Sequence, residues 1–214
     1  MIYTNKKILA IIPARSGSRS IKDKNIIFYK GKPLIYYSIK TALKSKFIDR
    51  VIVSTDSKKY QTISKNFGAE APFLRPKKFS TDTSLDYHYI LHTTNYMIKN
   101  NYYPDLIVLL RPTTPNREIN IVNNGIRLFI KNFNKYDSMR SVSEFNQPPQ
   151  KFFMIKKDRL RGFFDKTLSG EYHALPRQKS NFYAIKSNRK KSAPLLNNFN
   201  QVLKGDIKKK YLLT

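Results

Sequence analysis

The sequence predicts an α/β fold built on a doubly wound, mostly parallel β-sheet. Short, unbroken apolar runs rich in β-branched residues recur along the chain, stretches with helical spacing of apolar residues separate them, and polar or basic turns follow them. Unbroken apolar runs are typical of strands buried on both faces, as in a parallel sheet covered by helices. We expect a single domain over residues 1–214, a length at which about 70% of the unfolded surface becomes buried.

The composition restricts the chemistry that the chain can carry. It contains no cysteine, which excludes a disulfide framework, a thiolate metal site and a cysteine nucleophile. The first apolar run is only five residues long and is followed by Pro and Arg, which fits neither a signal peptide nor a transmembrane helix. We therefore expect a cytoplasmic protein without membrane insertion.

The net charge of +27 raises nucleic acid or an anionic surface as a partner. The lysines are spread along the whole chain, however, and accompany abundant Asn, Ile and Tyr, as an AT-rich coding sequence would produce without any binding role. A positive field also attracts anionic substrates and speeds their binding. We expect no nucleic-acid partner, and a basic protein that binds nucleic acid or an anionic surface stays as an alternative.

The first element is a predicted strand over residues 8–12 that leads into a basic loop. Pro13 ends the strand, and the loop contains Ser and Gly residues whose backbone N–H groups can approach an anion. Four cations lie on or beside it: Arg15, Arg19, Lys22 and Lys24. One cation at about 4 Å from a phosphate contributes on the order of 4 kcal/mol before desolvation, at an effective dielectric of about 20. The pattern indicates a polyphosphate site at the carboxyl end of the strand, or else a solvated basic loop, since neither the dinucleotide motif nor the P-loop is present.

The next elements continue the alternation of helix and strand. We predict helices over residues 33–45, 57–67, 82–100 and 117–132, and strands over residues 51–53, 105–110 and 138–143. Pro33 suits the first turn of its helix, and Gly68 suits a left-handed cap at the end of the second helix. Asp56 is predicted to cap the N-terminus of that second helix, although it also lies at the ligand-facing end of the sheet.

Two further patterns are less regular. Residues 69–84 alternate Pro, Arg, Lys, Asp and Thr, which indicates a loop that crosses the cleft, with polar residues at its end to start the third helix. His88 and His92 have the spacing of a metal-ligand pair, but the Glu of the metalloprotease motif is absent, so we expect no zinc site. Residues 148–164 are predicted to form a hairpin, because two aromatic runs flank a polar Lys-Lys-Asp-Arg turn.

The basic loop and four later segments together resemble a known family. Residues 12–25 read Ile-Pro-Ala-Arg-Ser-Gly-Ser-Arg-Ser-Ile-Lys-Asp-Lys-Asn, and the later segments cover residues 31–35, 50–56, 73–76 with 81–84, and 109–115. This pattern resembles the acylneuraminate cytidylyltransferases (CMP-sialic acid synthetases), which are relatives of the CMP-KDO synthetases. The likeness covers about residues 7–165 and implies a Rossmann-like nucleotidyltransferase fold.

The resemblance implies an enzyme that joins CTP to an acidic nine-carbon sugar, a nonulosonic acid of sialic, legionaminic or pseudaminic type, and releases pyrophosphate. It implies that Arg15, Arg19 and Lys24 are catalytic cations that neutralise the triphosphate, while Asn25 and Arg75 contact the base. The nucleotide-binding set that it implies is Ala14, Arg15, Ser16, Gly17, Ser18, Arg19, Lys24, Asn25, Arg75, Asp82, Thr83 and Ser84.

The sugar site implied by the resemblance consists of Arg111, Thr113 and Thr114. The sialic acid enzymes usually carry Gln at the position of Arg111. An Arg there can pair bidentately with a carboxylate, which every nonulosonic acid carries. We therefore expect this class of sugar, without choosing a member of it.

The resemblance further implies Mg²⁺ and a homodimer, in which a projection over residues 148–170 packs against the second subunit. Exposed aromatic residues on a small appendage also favour such a partner. Residues 173–214 form a divergent or shortened segment that lacks the family's Ile-Asp-Ile-Asp pair of metal-binding aspartates. The metal ligands therefore stay unidentified, and a catalytically impaired homologue is one alternative. Another sugar nucleotidyltransferase, such as a CMP-KDO synthetase, is a second.

Overall fold

The computed structural model describes residues 5–18, 21–141, 153–156, 159–162 and 210–213. The chain divides into two compact units, one formed by residues 1–141 with residues 195–214 and the other by residues 142–194. The strands of the described parts are β1 (Ile8–Pro13), β2 (Phe28–Tyr29), β3 (Lys32–Pro33), β4 (Arg50–Ser54), β5 (Leu106–Leu109), β6 (Ser138–Arg140), β7 (Phe153–Lys156), β8 (Arg159–Gly162) and β9 (Lys210–Leu213). The helices are α1 (Leu34–Leu43), α2 (Lys58–Asn66), α3 (Asp86–Lys99) and α4 (Ile119–Lys131).

A five-stranded parallel sheet forms the centre of the first unit, in the order β4-β1-β5-β9-β6. Strand β1 lies between β4 and β5, with Ile11 opposite Ile52 on one side and Leu109 on the other. All five residues from Ile8 to Ile12 are fully buried. The predictions of strands over residues 8–12, 51–53 and 105–110 are confirmed, because their apolar runs face helices on both sides.

The helices cover both faces of this sheet, as a doubly wound fold requires. Ile8, Ala10 and Ile12 belong to a core shared with buried residues of α1, α2 and α4. Leu9 and Ile11 face the other core, to which α3 contributes Tyr89, Ile90 and Met97. The predicted fold class is therefore confirmed. None of the described helices is long and apolar enough to cross a bilayer.

Two predicted helix starts are wrong. Helix α2 is capped by Ser57, whose hydroxyl accepts from the Tyr60 amide at 3.4 Å, rather than by Asp56. Helix α3 begins at Asp86 after Leu85, which gives no side-chain cap, so residues 82–84 precede the helix. In both places the carboxylate has a tertiary partner in the loop after β1, and this bond competes with capping.

Strand β9 was not predicted, because residues 210–213 contain only three consecutive apolar residues within a segment that the sequence marks as divergent. It pairs in parallel with β5 and β6 and so separates them. In the second unit, β7 and β8 pair antiparallel, as the predicted hairpin requires. The part of that hairpin in dimerisation and the single-domain organisation stay predictions.

Candidate functional site

A cleft of about 240 Å³ opens where the carboxyl ends of β1 and β5 meet the segment that precedes α3. This edge of an open α/β sheet is where ligands bind in such folds. The residues that line the cleft are Pro13, Arg15, Ser18, Lys24, Asn25, Arg75, Phe79, Thr81, Asp82, Ser84, Asp86, Tyr89, Arg111, Pro112 and Thr113. The fold thus gathers side chains from segments that are almost 100 residues apart in sequence.

The loop after β1 is fastened to the neighbouring strand end. The Asp56 carboxylate accepts the Ser16 amide at 2.8 Å and the Ser16 hydroxyl at 3.1 Å. The Ser18 amide donates to the Ser16 carbonyl at 2.9 Å. The backbone amides of Ser16 and Ser18, which the sequence suggested as donors to an anion, are therefore hydrogen-bonded within the protein. Ser18 nevertheless lines the cleft.

Arg15 is held on both its backbone and its side chain. Its carbonyl accepts from the Asn25 amide nitrogen Nδ2 at 2.9 Å, and Asn25 is itself buried. Its guanidinium donates to the Gly17 carbonyl and forms an ion pair with Asp82. Lys24, at the start of a short 3-10 helix over Lys24–Ile26, lines the cleft beside it. Arg15 is thus placed for an anion, with a carboxylate as its present partner.

Arg75 is a buried cation at the back of the cleft. Only 5% of it is exposed, its Nε donates to the Ser54 hydroxyl at 3.1 Å, and its guanidinium also donates to the Ser54 carbonyl. The guanidinium lies 4.9 Å from the centre of the Tyr89 ring, in a cation–π contact. Burial lowers the pKa of Arg75 to about 10, so the side chain remains charged at neutral pH.

Arg111 occupies the corresponding place after β5. Its guanidinium forms an ion pair with Asp86, and its carbonyl accepts from the Ser38 hydroxyl at 3.0 Å. Arg117 donates to the same carbonyl at 3.4 Å, and burial lowers the pKa of Arg117. Ser38 and Arg117 thus hold the backbone of Arg111, a role that their place in the helical pattern did not reveal.

The cleft has an excess of positive charge. Arg15, Lys24, Arg75 and Arg111 line it with two carboxylates, Asp82 and Asp86, and each carboxylate is paired with one of the arginines. Charged ligands drawn to this site would therefore be anions.

Nine of the predicted site residues meet at this cleft: Arg15, Ser18, Lys24, Asn25, Arg75, Asp82, Ser84, Arg111 and Thr113. Five others do not line it: Ala14, Ser16, Gly17, Thr83 and Thr114. Ala14 is fully buried in the core, and Ser16 turns to Asp56. Arg19 lies outside the described residues.

His88 and His92 pack beside aromatic rings of the 69–84 segment. The ring centroids of Phe79 and His88 are 5.3 Å apart, and those of Phe73 and His92 are 4.6 Å apart. Burial, followed by the charge of Arg75, lowers the pKa of His92. Within the part of the chain that the structure describes, no group of three or more His, Cys, Asp or Glu residues could hold a metal ion.

Comparison with known proteins identifies the family to which the sequence is similar. A family model described as Cytidylyltransferase matches residues 9–162. N-acylneuraminate cytidylyltransferase of Escherichia coli O18:K1:H7 is 36% identical over 159 residues, which are 74% of this chain and 36% of that protein. Pseudaminic acid cytidylyltransferase of Campylobacter jejuni serotype O:23/36 is 35% identical over 159 residues, 74% of this chain and 68% of that protein. CMP-N,N'-diacetyllegionaminic acid synthase of Legionella pneumophila is 35% identical over 122 residues, 57% of this chain and 53% of that protein.

Solved structures agree on the fold. CMP:2-keto-3-deoxy-manno-octonic acid synthetase complexed with CTP superposes with a TM-score of 0.53 at 21% identity, over 63% of this chain and 52% of that one. A 4-diphosphocytidyl-2C-methyl-D-erythritol synthase from Anaerococcus prevotii gives a TM-score of 0.52 at 14% identity, over 97% of this chain and 87% of that one. At these identities the likeness concerns the architecture of the sheet and its helices alone.

Proposed function

The chain belongs to the cytidylyltransferase family, and from this premise we propose that it transfers CMP from CTP to a nonulosonic acid and releases pyrophosphate. The observation that carries the proposal is the cleft itself. Four cations converge there: Arg15 and Lys24 come from the basic loop region after β1, Arg75 from the segment before α3, and Arg111 from the loop after β5. Both proposed substrates are anions, and the three similar proteins carry names of cytidylyl or CMP enzymes for acidic sugars.

In the proposed reaction the anomeric hydroxyl of the sugar attacks the α-phosphorus of CTP. A bond forms between that oxygen and the α-phosphorus, the bond from the α-phosphorus to the bridging oxygen breaks, pyrophosphate leaves with the electron pair, and the hydroxyl proton passes to solvent. Little covalent chemistry is required of the protein, since positioning and charge neutralisation account for most of the catalysis of such transfers. Arg15 and Lys24 supply the charge, with Arg19 as a third proposed cation.

Arg15 must change partner for this to happen. Its guanidinium is paired with Asp82, so a phosphate takes the place of that carboxylate. Both ligands are oxyanions, and a guanidinium can pair with either through the same two-pronged geometry. The proposed donors beside it are the hydroxyl groups of Ser18 and Ser84, which line the cleft.

We assign the base to Asn25 and Arg75, deeper in the cleft. Both are buried and held by backbone oxygens, Asn25 by that of Arg15 and Arg75 by that of Ser54. Buried donors that are held in place favour the base whose acceptors match them. With any other base, some of these donors would stay unpaired, which weakens its binding.

The acidic sugar is assigned to Arg111, Thr113 and Thr114. Arg111 and Thr113 line the cleft, and Thr114 follows in the same loop. A carboxylate that replaced Asp86 would pair with the Arg111 guanidinium. This assignment names the class of sugar and leaves its acyl groups open.

We also propose a requirement for Mg²⁺, a homodimer and a cytoplasmic location. The described residues do not form a metal site by themselves, and no step above depends on one. Loss of turnover in EDTA that Mg²⁺ restores would support the first proposal. Sedimentation at twice the chain mass of 25.1 kDa would support the second, and cell fractionation tests the third.

The deciding experiment measures pyrophosphate release from CTP with N-acetylneuraminic, legionaminic, pseudaminic and 3-deoxy-octulosonic acids. We expect turnover with at least one nine-carbon acid. Lys24→Ala should lower kcat/KM for CTP by about 100-fold, whereas Lys22→Ala, an exposed cation that does not line the cleft, should leave it unchanged. No turnover with any acid, or equal effects of the two substitutions, would contradict the proposal.

A further inference from the structure

The hydroxyl group of Tyr89 is buried at the cleft and has no role in the reaction proposed above. It lies on α3, only 4% of it is exposed, and it lines the cleft. Within the described part of the chain, no hydrogen bond of ordinary geometry reaches its hydroxyl oxygen, although the Asp86 carboxylate on the same helix lies close enough to interact with it. A buried hydroxyl without a partner is costly, so native proteins keep one mainly where a ligand or water completes it.

The ring of Tyr89 is firmly held, which gives its hydroxyl a defined place. The ring belongs to the core formed with Leu9, Ile11 and Leu109. The Arg75 guanidinium covers it at 4.9 Å from the ring centre. A side chain fixed by packing and by a cation–π contact cannot swing out to reach water, so an incoming group must meet the hydroxyl where it stands.

Tyr89 lies three residues after Asp86 on α3, so the two side chains share one face of the helix, and Asp86 is the residue paired with Arg111. Burial, followed by the Asp86 carboxylate, raises the pKa of Tyr89, while Arg111 and, to a smaller extent, Arg75 oppose that rise. The phenol therefore keeps its proton at neutral pH and can donate a hydrogen bond. Asp86 and Arg111 are the ion pair that a substrate carboxylate would have to open.

We propose that the Tyr89 hydroxyl contacts the substrate and donates a hydrogen bond to the carboxylate of the acidic sugar, beside the Arg111 guanidinium. This inference rests on the proposed function. A carboxylate has two oxygens and about four acceptor positions, so it can accept from the guanidinium and from a phenol together. Such a hydroxyl also favours acids over sugars that lack a carboxylate. When a sugar without the carboxylate is bound, the hydroxyl donor stays unpaired, and this lowers the affinity.

The test uses Tyr89→Phe, which removes the hydroxyl and keeps the ring beneath Arg75. Tyr102→Phe is the matched control, because the Tyr102 hydroxyl is also buried and without a partner among the described residues, but Tyr102 does not line the cleft. For Tyr89→Phe we expect KM for the acidic sugar to rise about 10- to 100-fold, with KM for CTP and Tm not impaired. For Tyr102→Phe we expect no change in either KM.

A second measurement identifies the group that is contacted. The methyl ester of the acid should bind the wild type more weakly than the acid, and Tyr89→Phe should add little to that loss, because both changes remove the same bond. A rise in KM for CTP instead, an additive loss with the ester, or a fall in Tm would overturn the inference. If the wild type is active and Tyr89→Phe has the same KM for the acid, only this inference is refuted. If the wild type is inactive with every acid, the proposed function itself is refuted.

Discussion

The loops after β1 and β5 both bring an arginine to the cleft, and they differ in how enclosed that arginine is. Each carries an arginine that lines the cleft and pairs with a carboxylate of the segment before α3, Arg15 with Asp82 and Arg111 with Asp86. Each arginine also has its carbonyl held by polar side chains from elsewhere, Asn25 in one case, and Ser38 with Arg117 in the other.

The arginine–carboxylate ion pairs of the two loops differ in how exposed they are to water. The Arg15 and Asp82 side chains are 32% and 26% exposed, against 53% and 46% for Arg111 and Asp86. The β1 loop has an additional tie through Asp56, which binds Ser16 twice. A more enclosed ion pair is less screened by water and salt. Under the proposed function, CTP, which is the same for every acid, meets the more enclosed loop, and the acid, which differs among the similar proteins by name, meets the more open one.

The strongest test of this comparison removes the arginine of the more enclosed loop. Arg15→Ala should lower kcat/KM for CTP by about 1,000-fold, because a fixed guanidinium on a phosphoryl group commonly contributes that much to transfer. Steady-state kinetics of pyrophosphate release checks it. Arg127→Ala, an exposed arginine on α4 bonded to Asn124, is the control and should behave as wild type. Equal kinetics for the two variants would show that Arg15 does not contact the nucleotide.

A smaller effect is expected in the open loop. Arg111→Gln should raise KM for the acid by about 10- to 100-fold, since a hydrogen bond to a charged group contributes about 1.5–3 kcal/mol, with KM for CTP unchanged. Arg111→Lys keeps the charge without the two-pronged geometry and should fall between the wild type and Arg111→Gln. If KM for CTP rose instead, the division of the cleft between nucleotide and sugar would be wrong.

The smallest effect is expected for the tie between Asp56 and the β1 loop. Asp56→Asn keeps an acceptor for one of the Ser16 donors and loses the charge. We expect a loss of about 1–2 kcal/mol in the free energy of unfolding and a rise of about 10-fold in KM for CTP. Urea unfolding and kinetics measure the two.

Asp49→Asn provides the matched control for that prediction. The Asp49 carboxylate accepts the Ile8 amide at 2.6 Å at the amino end of β1, away from the cleft. It should lower stability by a similar amount and leave KM for CTP unchanged. A rise in KM for CTP in both variants would mean that general loosening of β1, rather than the tie to Ser16, affects the nucleotide.

Much of the fold could be predicted because its signals are local. The runs in β1, β4 and β5 are short, apolar and β-branched, and each pairs and packs as such a run should. Gly68 has a positive φ of 90°, as the predicted left-handed cap after α2 requires. The chemical character of the β1 loop and of the Arg111 loop could likewise be recognised, since residue types alone carry it.

The errors and omissions concern partners that are distant in sequence. Asp56 has the right residue type to cap a helix, but Ser16, 40 residues earlier, claims its carboxylate. Tyr89 lies at a core position in the helical pattern, and only the surrounding structure shows that its hydroxyl reaches a cleft without a partner. Strand β9 carries a weak local signal, and its place between β5 and β6 depends on pairing across the whole chain.

The sequence by itself determined which segments are strands and helices and which loops are rich in cations, because hydrophobic spacing and charge act over a few residues. Tertiary structure alone decided which carboxylate each arginine meets, which strand lies between β5 and β6, and which buried hydroxyl opens on the cleft. These outcomes depend on close packing and on competition among polar groups from distant segments, where an Asp that could cap a helix bonds instead to the group that folding brings to it.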